Sequence, residues 1–114
     1  MINITVFESG SGNITGFRIE GHAGQADKGK DIVCSAVSAV AYTALGALEE
    51  VAGAAGIVKN HVEENGYMEV NAGETGLISE TADIILKTAV VGFRQIEDSY
   101  RKYVKITYGR NSEV

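Results

Sequence analysis

The sequence predicts an α+β fold, a two-layer sandwich in which a mostly antiparallel sheet packs against two helices in the order β-β-α-β-β-α-β. Five short runs have the pattern of strands, and two longer runs carry apolar residues at three- and four-residue steps. No linker, repeat or low-complexity segment interrupts the 114 residues. We therefore expect one domain, residues 1–114, since a chain of this length can bury one core but not two.

The first two strands are predicted from alternation on either side of a glycine-rich turn. Ile2, Ile4 and Val6 recur at every second position, and alternation resumes over residues 14–20. The turn at residues 9–13 joins the two runs into a hairpin. His22 then follows the end of the second strand.

The first helix is predicted to begin at Asp31, whose carboxylate can accept hydrogen bonds from the N–H groups of the first turn. Gly53 and Gly56 are expected to end it. Residues 32–48 are uncharged, but they fall short of the roughly 20 residues of a membrane span. We expect a buried helix and no membrane partner. Its predicted apolar face comprises Val33, Val37, Val40, Ala41, Ala44, Leu48 and Val51.

A second hairpin is predicted over residues 57–63 and 67–71. The side-chain pattern favours a three-residue loop at 64–66 with Gly66 in the left-handed region. That loop puts Val62 on the same face as Met68 and Val70, whereas a two-residue turn would put Val62 on the opposite face.

The chain is then predicted to form a second helix, from about Gly76 or Ser79 to Tyr100, and a last strand at residues 103–108. The helix is indicated by apolar residues at helical spacing, flanked by further apolar side chains. The spaced residues are Ile78, Ala82, Ile85, Ala89, Gly92 and Ile96.

Composition excludes several classes of protein. The net charge of −5 argues against direct nucleic-acid binding, which needs clustered Lys and Arg, and would suit a basic peptide or protein partner. The single cysteine cannot form an internal disulfide. Residues 1–6 show no basic region followed by an apolar run, so we expect no secretory signal and a cytoplasmic location.

Cys34 and His22 are the candidate catalytic pair. A helix that begins at Asp31 would place Cys34 in its first turn, where the partial positive charge favours thiolate and N–H groups could stabilise an oxyanion. His22 could act as base and then as acid. The carboxylate of Asp31 would oppose this by raising the thiol pKa. The loop between the pair, with Gly24 and Gly29, can bend to bring them together.

Each candidate also has a simpler interpretation. A lone cysteine in an alanine-rich helix is more often a small core residue, and Ser38, one turn later, a packing residue. Residues 24–31 resemble a phosphate-binding loop, but Asp31 stands where that motif needs Ser or Thr. His61, distant in a predicted strand, gives no metal-ligand spacing, so we expect no metal or cofactor.

The segment 21–24, Gly-His-Ala-Gly, and the segment 29–38, which includes Asp-Ile-Val-Cys-Ser, together resemble the signature of the ribosomal-processing cysteine proteases known as Prp. Residues 90–96 and 100–106 are similar to the second helix and last strand of that family. The resemblance covers nearly the whole chain. At Phe93 the family is expected to have an aliphatic residue, a difference that concerns packing alone.

This resemblance implies a cysteine endopeptidase that removes the N-terminal extension of a bacterial large-subunit ribosomal protein, number twenty-seven, beside an aromatic, apolar stretch. It implies that His22 and Cys34 are catalytic and that Asp31 and Ser38 support the site. It further implies a homodimer, with a mobile loop over residues 21–30.

Two other functions remain open at this point. The first is a non-enzymatic ribosome-assembly or protein-binding module, which would bind its partner at the groove that a protease uses for its substrate. A redox-sensing thiol ranks behind both, because the chain has no second cysteine to resolve an oxidised thiol.

Overall fold

The computed structural model describes residues 1–21, 28–53, 60–64, 66–72 and 79–110, with backbone alone for 28–31 and 60–64. The element order confirms the predicted α+β fold. The elements are β1 (Ile2–Glu8), β2 (Ile14–Glu20), α1 (Lys28–Glu50), β3 (Asn60–Glu64), β4 (Tyr67–Asn71), α2 (Glu80–Ser99) and β5 (Val104–Gly109).

The strands form one five-stranded sheet in the order β3-β4-β2-β1-β5. β1 pairs antiparallel with β2, β2 with β4, and β4 with β3, while β5 joins β1 in parallel. The predicted, mostly antiparallel sheet is therefore confirmed. Because Glu20 pairs with both Asn3 and Tyr67, the end of β2, the start of β1 and the start of β4 lie at one end of the sheet.

The core fills the space between the helices and one face of the sheet. Ile4, Val6 and Phe17 of the sheet are fully buried, as is Phe93 of α2. The rings of Phe17 and Phe93 meet edge to face, 5.3 Å between centroids, which is a favourable aromatic geometry. Phe93, where an aliphatic residue was expected, is thus a central core residue.

The buried stripe of α2 includes Ala82 and Ala89, as predicted, but it is centred on other residues, and Ile85 and Ile96 are only partly buried. Leu86, Val90 and Phe93 are buried, whereas Ile84 and Val91 are 57% and 45% exposed. Apolar residues occupy so much of this helix that spacing alone cannot choose its inner face. The contact of Phe93 with Phe17 fixes the rotation. On α1 the predicted face is confirmed except at Val51, which is 69% exposed beyond the helix end.

The predicted three-residue loop between β3 and β4 is wrong. Glu64 pairs with Tyr67, which leaves two residues in the turn, and Val62 pairs with Glu69. The φ angle of Gly66 is +71°, as predicted. A two-residue turn with glycine at positive φ matches the twist of the paired strands. Turn chemistry therefore sets the register of this edge strand more strongly than the side-chain pattern.

Helix α1 is long and apolar enough over Ile32–Glu50 to cross a membrane by length and composition alone, and a third of that window is buried. A core helix passes the same test. Val33, Ala41 and Leu48 are fully buried against the rest of the chain, so this helix supplies a large part of the core.

The outer edge of β5 is tied to the end of α2. A carboxylate oxygen of Glu97 accepts a hydrogen bond from the N–H of Ile106 at 2.9 Å. Two further bonds close this corner: Val104 N–H donates to the Tyr100 carbonyl at 3.2 Å, and Ile2 N–H donates to the Tyr103 carbonyl at 2.7 Å. The end of α2 therefore lies beside the start of β1.

The other end of α2 is tied to the first hairpin by a buried carboxylate. Asp83, 8% exposed, accepts a hydrogen bond from the N–H of Ile14 at 2.8 Å. Its other oxygen lies 2.9 Å from the Lys87 ammonium. Ser79 caps the helix by accepting from Ala82 N–H at 3.0 Å. Of the two predicted starts, Gly76 and Ser79, the helix uses Ser79, as its N-cap.

Replacement of Asp83 by alanine is expected to lower the free energy of unfolding by about 2 kcal/mol, because it leaves the buried N–H of Ile14 without its charged acceptor. Urea unfolding followed by circular dichroism measures this. Lys87→Ala, which removes only the ion pair of a half-exposed lysine, should cost less than about 1 kcal/mol. Equal losses in the two variants would contradict the assigned role of the Ile14 bond.

Candidate active site

The start of α1 differs from the prediction. The helix begins at Lys28, so Asp31 lies inside it and the predicted N-cap at Asp31 is wrong. Cys34 is the seventh helical residue, in the second turn and not the first. Lys28 and Lys30 are good helix formers, and the helix extends back through Gly29 although glycine costs about 1 kcal/mol relative to alanine.

This shift weakens one argument for a reactive thiol. The unpaired N–H groups of a helix belong to its first four residues, here 28–31, and its partial charge fades within the first turn. Cys34 lies about 9 Å along the axis from Lys28, at 1.5 Å per residue. The helix terminus thus does less to favour thiolate at Cys34 than the sequence predicted.

Cys34 lies at the edge of the core. It is partly buried and packs against the core cluster. Its neighbours Ile32 and Ser35 are exposed, as is Ser38 one turn later. Cys34 is therefore not fully buried in the core. The exposure of Ser38 is also inconsistent with a buried packing role.

His22 and the loop that follows it lie outside the described residues, as do the side chain of Asp31 and the side chain of His61. The predicted meeting of His22 and Cys34 thus remains a prediction. Gly21, the residue before His22, is described, and its N–H donates to the Gly66 carbonyl at 3.0 Å. This bond continues the pairing of β2 with β4 one residue beyond Glu20 and Tyr67.

Cys34 and Gly21 lie toward the same end of the molecule. Val40 of α1 packs at Gly92, and Ala47 shares a groove with Ile84 and Ile85, so α1 and α2 run antiparallel. The start of α1, which carries Cys34, therefore lies toward the end of α2.

The end of α2 in turn lies beside the start of β1, as the bonds of Tyr100 and Tyr103 show. The start of β1 pairs with the end of β2, which leads into Gly21. The fold thus brings the last residue before His22 and the cysteine helix to one end of the sandwich.

The open face of the sheet carries a polar network near this end. The Tyr67 hydroxyl donates to one Glu69 oxygen at 2.6 Å, and the Asn71 amide donates to the other at 2.7 Å. The hydrogen bond to Glu69 and partial burial raise the pKa of Tyr67. Arg18 lies 2.8 Å from Glu20 and above the ring of Phe7. The Arg18 guanidinium also lies 3.9 Å from Glu69, and this contact links the polar side chains of β2 to those of β4.

Among the residues that the structure describes, no three His, Cys, Asp or Glu side chains are grouped so that they could hold a metal ion.

Comparison with known proteins gives matches over nearly the whole chain. The family model described as cysteine protease Prp matches residues 1–105. The ribosomal processing cysteine protease Prp of Staphylococcus aureus strain Mu50 is 26% identical over 108 residues, which cover 95% of this chain and 99% of the relative. The Prp of Bacillus subtilis strain 168 is 28% identical over 109 residues, covering 94% and 96%.

The fold is also similar to solved structures. The S. aureus enzyme in complex with a covalently linked product peptide superposes with a TM-score of 0.77 at 26% identity, covering 95% of this chain and 99% of that one. These matches and the partly exposed thiol define the class of the protein: it is a cysteine protease. More narrowly, the chain belongs to the cysteine protease Prp family.

Proposed function

We propose that this protein removes the N-terminal extension of the bacterial large-subunit ribosomal protein number twenty-seven, with Cys34 as nucleophile and His22 as general base and acid. One observation carries the assignment of the nucleophile: the chain has a single cysteine, and a cysteine protease needs a catalytic thiol. The partial exposure of Cys34 supports it. The relatives named ribosomal processing proteases support a ribosomal substrate.

The proposed reaction proceeds in two steps. The thiolate of Cys34, its proton taken by His22, attacks the scissile carbonyl carbon, and His22 then protonates the leaving amine as the peptide C–N bond breaks. Water attacks the resulting thioester with His22 as base, which releases the acid product and restores the thiol. Asp31, three residues before Cys34, and Ser38, four after it, are proposed to support the site from the same side of α1.

The position of Cys34 in the second turn makes His22 the main source of activation in this mechanism. The helix terminus is too distant to lower the thiol pKa strongly, and an imidazole in hydrogen-bond reach is an effective alternative. The unpaired N–H groups of α1 belong to residues 28–31, three or more positions before Cys34. In this mechanism the oxyanion therefore also needs N–H donors from outside α1.

Cys34→Ala and His22→Ala are each expected to abolish cleavage of the extended ribosomal protein, because each removes one member of the reacting pair. Mass spectrometry of that substrate after incubation measures the mass of the lost extension. Ser35→Ala, which changes an exposed neighbour of Cys34, is the matched control and should retain cleavage. Cleavage at the normal rate by either pair variant would overturn the assignment.

Alkylation tests the activation of the thiol apart from substrate. At pH 7 iodoacetamide is expected to modify Cys34 faster than an ordinary thiol, and His22→Ala should slow the reaction about tenfold, because an unactivated thiol is only a few per cent thiolate at that pH. His61→Ala controls for the loss of a histidine. A rate in the unaltered protein no faster than that of a simple thiol would favour a non-enzymatic binding module.

We also propose a cytoplasmic homodimer that acts without contacting nucleic acid directly. An apolar groove of about 410 Å³ lies between α1 and α2, lined by residues that include Val40, Ala44, Ile85 and Thr88. The net charge of −5 disfavours a contact between like-charged surfaces of two copies, whereas an uncharged surface avoids that repulsion. This uncharged groove, with Ile84 exposed at its border, is the surface that suits a twofold contact.

Thr88→Glu is expected to shift the protein from dimer to monomer, because it places a charge in each copy of the neutral groove. Light scattering after size-exclusion chromatography measures the mass. Thr107→Glu, at an exposed position of β5, is the control and should leave the mass unchanged. A monomeric unaltered protein, or a dimer that persists in Thr88→Glu, would refute this interface.

A further inference from the structure

We infer that Gly21 is a positioning residue for the proposed reaction: its backbone conformation and its bond to Gly66 fix the direction in which the chain leaves β2 toward His22. This inference rests on the proposed function, in which His22 is catalytic. It adds a residue that has no side chain of its own and touches no reacting atom.

The backbone of Gly21 requires glycine. Its φ angle is +121°, a conformation that L-residues with a side chain rarely adopt. Neighbouring atoms also leave no room for a side chain at Gly21. A Cβ atom built on Gly21 would lie 2.3 Å from the Met1 carbonyl oxygen and 2.9 Å from the Ile2 Cα. Both distances are far below van der Waals contact, so a side chain here would displace the backbone.

Gly21 is also held from the other side. Its N–H donates to the Gly66 carbonyl at 3.0 Å, and Gly66 itself occupies the left-handed region with φ +71°. The last residue before His22 therefore lies between the start of β1 and the β3–β4 turn, in contact with both. A shift away from Met1 moves Gly21 relative to Gly66.

The effect on catalysis follows from the position of Gly21 in the chain. A side chain at Gly21 would force the strand end to move by about 1 Å to restore normal contact. Displacements of that size can cost up to about 100-fold in rate when they misplace a catalytic group. Cys34 is anchored separately, through α1, so the displacement would change the spacing of the pair.

Gly16 and Gly12 supply matched controls. A Cβ atom on Gly16, near the start of the same strand, would lie 2.1 Å from the Val70 carbonyl oxygen, a collision as severe as that at Gly21 but at the opposite end of β2. Gly12 has φ +91° with nothing within 4 Å of its built Cβ. Alanine at Gly16 therefore reports the cost of collision, and alanine at Gly12 the cost of positive φ.

Gly21→Ala is expected to lower kcat at least tenfold with KM changed less than twofold, and to slow Cys34 alkylation at pH 7 to the rate of His22→Ala. Gly16→Ala and Gly12→Ala should lower the melting temperature but keep kcat and the alkylation rate below that temperature. Wild-type kcat and alkylation in Gly21→Ala would overturn the inference, and so would an equal loss of kcat in Gly16→Ala.

Two variants of Gly66, Gly66→Asn and Gly66→Ala, test the inference if Gly21→Ala does not fold. Asparagine adopts positive φ more readily than alanine, so Gly66→Asn should retain the Gly21 bond and kcat, whereas Gly66→Ala should lower kcat severalfold. Equal kcat in the two would contradict the inference. Failure of the proposed function has a separate signature, which is continued cleavage by His22→Ala. An inactive His22→Ala with a fully active Gly21→Ala would refute the positioning role alone.

Discussion

The contact between Phe17 and Phe93 joins the two halves of the proposed site. Phe17 lies in β2, the strand that leads into Gly21 and His22, and its ring meets Phe93 of α2 edge to face. The residue before Phe93 is Gly92, against which Val40 of α1 packs. Strand β2, which leads to His22, and helix α1, which carries Cys34, are thus connected through two adjacent residues of α2. The Phe17–Phe93 contact is fully buried and the Val40–Gly92 contact partly so, and together they set the spacing between β2 and α1.

Core packing can fix the positions of β2 and α1, but it does not determine the reactivity of the Cys34 thiol. Cys34 stands in the second turn of a helix that begins at Lys28, beyond the range in which a helix terminus strongly stabilises an anion. It is partly buried at the margin of the core. In the proposed mechanism such a thiol depends on His22 as an external base, and Gly21, the residue before it, is held between Met1 and Gly66.

Sequence periodicity predicted the element order and the inner face of α1, because alternation and helical spacing report directly on which side chains are buried. It failed where two local preferences competed. Asp31 is a residue type that favours a helix N-cap, yet the helix starts three residues earlier, at Lys28. Val62 fits the core pattern, yet the Gly66 turn sets a register that pairs it with Glu69. The role of Gly21 depends on Met1 and Gly66, which are distant in the chain, and no local pattern reveals such contacts.

The carboxylate of Glu97 has a consequence for how the sheet meets its surroundings. β5 is an edge strand, and an unpaired edge is a template on which another chain can add a strand. The N–H of Ile106 already donates a hydrogen bond to the Glu97 carboxylate at 2.9 Å. A strand from another chain would have to break this charged hydrogen bond before it could pair with β5. This margin is thereby protected against aggregation by a side chain of the neighbouring helix.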